Sequence, residues 1–182
     1  MSESRTEIVR VARRLFAERG YRSVSVRDVA AAAGVSPALV MKLVGSKAEL
    51  FTTCISFEPD EIDLDQPVPE LGRALVRGLL ERRLAAQPEP LARAVVLALP
   101  APDPEEVRAR FRGAYLVPLG QRLGGTAQAQ LAAELVVGAL VGLAVSVRVL
   151  GLHADPEKDA QVVETYGAAV QQIIDGAAQT EA

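Results

Sequence analysis

The chain has 182 residues, 20 basic and 23 acidic side chains, a formal net charge of -3, and 49% apolar against 24% charged residues. That is about one domain's worth at roughly 100–200 residues per domain, and too apolar for a disordered chain. A lone cysteine, Cys54, and a lone histidine, His153, exclude an internal disulfide and leave no soft-ligand cluster for a structural zinc.

Neither a metal nor a cofactor is therefore expected, and a reducing, cytoplasmic compartment fits best. Glu3, Glu7, Arg10, Arg13 and Arg14 interrupt anything resembling the apolar core of a secretory signal, so no export is expected. The greasiest run, Leu135 to Val147 between Glu134 and Arg148, falls short of the roughly 20 residues of a membrane helix. It reads as a buried or interface helix, with no membrane partner.

Charge divides the chain. Residues 1–50 hold nine Lys/Arg against five acids, a surplus of four positive charges that leaves seven net negative charges in the rest. A basic head on an acidic body suggests that the head meets a polyanion.

In chain order, Ile8, Ala12, Leu15 and Phe16 form the stripe of an amphipathic helix over about Arg5 to Arg19, stopped by Gly20. Ser25 and Asp28 have the spacing of a capping box, opening a short helix with Val26, Val29, Ala30 and Ala33 on one face and a stop at Gly34. Ser36 caps a third helix with Pro37 at its first position and Val40 and Leu43 facing inward, ending at Gly45. Ser46 and Glu49 repeat the capping box, starting a fourth helix that carries Leu50 and Phe51 toward Phe57.

Glu58 to Pro69, acidic and proline-rich, reads as a connecting loop. From Glu70 onward about five more helices are expected, with breaks around Pro88 and Pro90, at Pro100 to Pro104, at Gly124–Gly125, and around Asp155–Pro156. Pro118 lies inside one of them, Glu105 to Leu123, and should kink or divide it. No strand run or internal repeat is evident. The expected fold is all-α, with a helix-turn-helix head over residues 1–50 and a helical body over 51–182.

The proportions of the head suit a helix-turn-helix, whose second member enters the DNA major groove. The runs EIVRVARRLFAERGY (7–21), SVRDVA (25–30), AGVS (33–36) and GSKAEL (45–50) closely resemble the N-terminal domain of TetR/AcrR-family transcriptional regulators. One stretch departs from that pattern: Val40 to Val44 has no aromatic residue where the family usually carries tyrosines and phenylalanine.

The resemblance implies that Met41 replaces a tyrosine that often touches DNA, while Lys42 supplies an electrostatic contact. It further implies Ser25 and Lys47 as phosphate contacts, Arg27 as a base or backbone contact, and Ser36, Pro37, Ala38 and Leu39 as the leading end of the recognition helix. Helix N-termini near Ser25 and Ser46 would also favour phosphate.

For the body the resemblance implies about five helices around an effector pocket and dimerisation through the last two. Leu131, Leu135, Val136, Ala139, Leu140, Leu143 and Val147 make one broad apolar stripe, and Val162, Val163, Tyr166, Val170, Ile173 and Ile174 a second. Leu135, Ala139, Leu143, Val163, Val170 and Ile174 are accordingly expected at a two-fold interface, with Gly138 and Gly142 spaced for close helix approach. Leu80, Arg83, Leu84, Phe111 and Tyr115 are plausible pocket lining.

Enzyme signatures are missing. Glu105 and Glu106 are adjacent, point to different sides of a helix and suit its first turn, and no phosphate loop or dinucleotide fingerprint occurs. The expected function is a homodimeric, effector-responsive repressor of a palindromic DNA operator. The alternative is a helical small-molecule-binding or interaction protein with a vestigial head.

Overall fold

A computed structural model describes residues 3–54, 57, 62–87, 89–99 and 101–178. Among these the regular structure is helical: α1 Glu3–Ser23, α2 Val26–Ala32, α3 Pro37–Val44, α4 Lys47–Cys54, α5 Leu71–Leu84, α6 Pro90–Ala98, α7 Pro104–Phe111, α8 Val117–Arg122, α9 Ala127–Arg148 and α10 Asp159–Ala178. Part of the acidic loop expected at 58–69 lies outside the described residues.

Two compact units emerge. One comprises Met1–Ser56 with Val95–Arg110, the other Phe57–Ala94 with Phe111–Ala182. The division differs from a single cut after residue 50, because α7 folds with the N-terminal helices.

In the first unit Ile8, Ala12, Leu15 and Phe16 are buried, as the stripe requires. Gly20 breaks α1 at φ 75°, a left-handed conformation that costs glycine little and other residues more. Beyond the break Tyr21 meets Phe16 at 6.1 Å and Phe51 at 4.9 Å between ring centroids, and Phe16 meets Phe51 edge-on at 5.0 Å. In α3 the buried pair is Val40 and Val44, with Leu43 half-buried. An eight-residue helix turns its inward face by i, i+4, rather than the i, i+3 expected from Val40 and Leu43. The carbonyls at the end of α4 are satisfied by arginines: Arg13 Nε donates to Cys54 at 3.2 Å and Arg110 Nη1 to Thr52 at 2.8 Å.

In the second unit α9 is the central helix. Its 22 residues include an 18-residue window of mean hydropathy 1.9, long and apolar enough by length and composition to cross a membrane, because apolar residues continue on the far side of Glu134 through Leu131, Ala132 and Ala133. Its buried side, including Val136, Leu140, Leu143 and Val147, packs inside the unit.

α10 crosses α5 where Gly72 meets Gly167. A Cβ on Gly72 would lie 2.8 Å from the Gly167 carbonyl oxygen, and one on Gly167 would lie 2.8 Å from Arg73 Cα. The buried Gln171 fastens this crossing: its Oε1 accepts from the Gly72 N–H at 2.8 Å, and its Nε2 donates to the Val68 carbonyl at 2.9 Å.

The helix expected over 105–123 is divided just ahead of Pro118. The chain passes from α7 into a π-helical turn, Arg112–Leu116, closed by Val117 N–H donating to the Arg112 carbonyl, and then into α8. A widened turn is one way a helix accommodates a ring that would crowd the carbonyl four residues back.

Candidate nucleic-acid interface

The helix-turn-helix is built by local hydrogen bonds. Ser25 Oγ accepts from Asp28 N–H at 3.1 Å while the Asp28 carboxylate accepts from Ser25 N–H at 2.7 Å. Ser46 and Glu49 repeat the box at 3.1 and 2.6 Å. Ser36 Oγ accepts from Leu39 N–H at 3.2 Å, without a returning acid. These caps fix where α2, α3 and α4 begin, hence which residues α3 turns outward.

The carboxylates in the boxes change the electrostatics. Hydrogen bonds from the Ser25 hydroxyl and backbone, helped by Arg19 and Lys47, hold the Asp28 carboxyl below its ordinary range. Bonds from Ser46 do the same for Glu49. Two of the helix starts expected to attract phosphate therefore already carry an anion. The Ser25 hydroxyl also donates to Asp28 Oδ2 at 2.6 Å, so a phosphate at Ser25 competes with that carboxylate for the proton.

Ser36, Pro37, Ala38, Met41 and Lys42 are exposed along α3 and Arg27 along α2, with Leu39 half-buried. Neither Arg27 nor Lys42 has a charged partner among the described residues. Lys47 is half-buried, its Nζ 4.3 Å from the Tyr21 ring centroid, a cation–π contact that fixes the ammonium beside the aromatic cluster. The array that results is a short, mostly apolar helix face with free cations around it, which suits a groove walled by phosphates.

Of the five expected pocket residues, Phe111 and Tyr115 are brought together, their ring centroids 5.1 Å apart. Leu80 and Tyr115 are buried core, Arg83 is held by Asp159 at 2.6 Å and by the His153 carbonyl, Leu84 is exposed, and Phe111 packs edge-on against Phe57 and Tyr115. None of the five lines the open groove of about 460 Å³ on the outer face of α5, which is bordered by Asp63, Gln66, Arg77, Glu81, Arg82 and Gln87. A small cavity of about 30 Å³ shares its Asp63, Ala74, Gly78 and Arg82 and is floored by Leu75, Leu79, Leu91 and Leu140. Sequence reasoning missed this groove, although Ala74, Gly78 and Ala85 already mark a small-residue face.

Of the six expected interface residues, Leu143, Val170 and Ile174 are buried inside the unit. They are already covered, which corrects their placement at an interface. Leu135 is 53% exposed, and Ala139 and Val163 are half-buried. Tyr166 lies beside them, its hydroxyl donating to the Ala139 carbonyl at 2.9 Å.

Residues 8–54 match the family profile described as bacterial regulatory proteins, tetR family, and residues 69–174 that of the tetracyclin repressor-like C-terminal domain. The chain belongs to the TetR family. It is a DNA-binding transcriptional regulator.

Among solved structures the TetR-family regulator SCO0857 from Streptomyces coelicolor A3 is 28% identical, with 94% of each chain covered and a TM-score of 0.60. NalD from Pseudomonas aeruginosa, the secondary repressor of the MexAB-OprM multidrug efflux pump, is 22% identical over 92% of this chain and 96% of its own, at a TM-score of 0.60. The fatty acid degradation regulator FadR from Bacillus halodurans is 21% identical over 96% and 95%, at 0.61. The latter two likenesses concern the TetR fold. No curated protein matches the chain.

Proposed function

We propose that this TetR-family chain is a cytoplasmic, non-enzymatic repressor that binds a two-fold symmetric DNA operator as a homodimer and releases it when a small molecule occupies the body. The observation that carries the DNA half is the exposed face of α3 with Lys42 uncommitted and Arg27 free on α2. Ser36 at the α3 cap retains a hydroxyl proton for a phosphate or base edge. Pro37, Ala38 and Leu39 lead the helix into the groove, and Lys47 adds positive charge beside it.

The dimer is supported by the apolar residues that α9 and α10 leave uncovered. Leu131 and Leu135 are exposed, with Ala139, Val163 and Tyr166 adjoining. Pairing these faces across a two-fold axis buries them, and such a dimer presents two recognition helices to half-sites roughly 34 Å apart.

The effector is assigned to the groove on α5, where the small residues Ala74, Gly78 and Ala85 meet the charged rim of Asp63, Arg77 and Arg82. Asp63 is kept ionised there, since hydrogen bonds from Gln66 and the Asp65 N–H hold its carboxyl below the ordinary range. Effector coupling of about 1–3 kcal/mol would change DNA affinity by roughly 5- to 150-fold.

Selection from a random duplex library, followed by a salt titration with the wild-type protein and Lys42→Ala, tests the reading. A symmetric site should be enriched, and the slope of log affinity against log salt should fall by about one in the variant. No enriched site at low salt refutes it.

A further inference from the structure

The outward face of α3 is short of groups that read bases by hydrogen bonding. From Ser36 to Gly45 the sequence contains no Asn, Gln, Arg, Asp or Glu. Of the exposed residues within the helix, Pro37, Ala38, Met41 and Lys42, only Lys42 ends in a donor, the one other hydroxyl on this stretch being that of the Ser36 cap. Ala38, Met41 and Lys42 follow i, i+3, i+4 and so lie on one face, with Met41 at its centre and 47% exposed. A long, polarizable, flexible thioether in that position covers irregular apolar surface. On a major-groove edge the apolar group available to it is the thymine C5-methyl, since the other base edges present donors and acceptors.

We infer that Met41, with Ala38 beside it, reads thymine methyl groups, so that the half-site is specified at these positions by methyls rather than by bidentate hydrogen bonds. The inference rests on α3 being the recognition helix. Lys42, one position on, is left to set affinity through charge.

The test uses the duplex that the full-length protein enriches from a random library. Each thymine in turn is replaced by deoxyuridine, which removes the methyl and leaves the pairing and the hydrogen-bonding edge intact. One or two positions in each half-site should lose affinity by about four-fold, the equivalent of one buried methylene.

In Met41→Ala at least one of those positions should become indifferent to deoxyuridine, while the salt slope stays at its wild-type value. Lys42→Ala should do the reverse. Because Met41 is half exposed, an unchanged melting temperature for Met41→Ala is expected and excludes misfolding as the cause. Equal binding at every substituted position overturns the inference while leaving the DNA-binding reading intact, and so does uridine sensitivity that Met41→Ala keeps in full. Failure to enrich any duplex removes the reading on which it rests.

Discussion

Cys54 is the residue whose chemistry its surroundings alter most. Burial pushes its thiol up from an ordinary 9.0 to about 12, and its Sγ donates to the Val9 carbonyl at 3.6 Å. At pH 8 the thiolate population is then roughly a thousand-fold below that of a free thiol. Iodoacetamide should leave the native protein unlabelled under conditions that label it promptly in denaturant, a comparison read directly by mass spectrometry. Asp28 and Glu49 shift the opposite way. Their depressed folded-state values mean that the capping boxes contribute fully above the ordinary values of 3.8 and 4.5 and weaken as pH falls below them through the folded values. Melting curves from pH 7 to 3 should show this acid loss, and Asp28→Asn with Glu49→Gln should flatten it. Ser25→Ala should cost about 1 kcal/mol at pH 7.

At the scale of the elements, the crossing of α5 over α10 tolerates the least change. Gly167→Ala sets a methyl against backbone that cannot swing aside, and overpacking of this kind costs about 1–3 kcal/mol. Gly176, farther along α10, has open space around its Cβ position. Gly176→Ala should leave stability unchanged or raise it by up to about 1 kcal/mol. Chemical denaturation of the two variants distinguishes a contact-specific effect from a general response of α10. The same crossing explains why α10 was only half legible. Its apolar stripe is real, but the residues that face α5 include Gly167 and Gln171, which no hydrophobic pattern selects. The ion pairs that join the two helices, Arg73 with Glu164 at 2.9 Å and Arg83 with Asp159 at 2.6 Å, likewise link residues far apart in sequence.

Leu135→Glu places a charge on an exposed part of α9 while leaving Val136, Leu140 and Leu143 in the core, so the fold should persist. Sedimentation should report a dimer for the wild type and a monomer for the variant, and affinity for a two-fold site should fall by roughly ten-fold or more as the second half-site is lost. A dimer that survives Leu135→Glu with unchanged DNA binding would move the interface off this face.

The amino-acid sequence by itself determined where helices begin and end, because caps, stripes and stops act over three or four residues. Ser25 with Asp28, Ser36 with Pro37, and Ser46 with Glu49 each open a helix at the expected residue, and those helices place Met41 and Lys42 on the outer face of α3. The tertiary structure alone decided which members of an apolar stripe are spent inside the protomer. Leu143, Val170 and Ile174 are covered and Leu135 is not, yet all four read alike as greasy helical positions. It also decided that the Ser25 hydroxyl donates to Asp28, that Lys47 sits over Tyr21, and that Arg83 pairs with Asp159. Hydrophobic periodicity specifies a face of one helix. What covers that face depends on which distant segment arrives there, and packing close to crystal density admits few solutions.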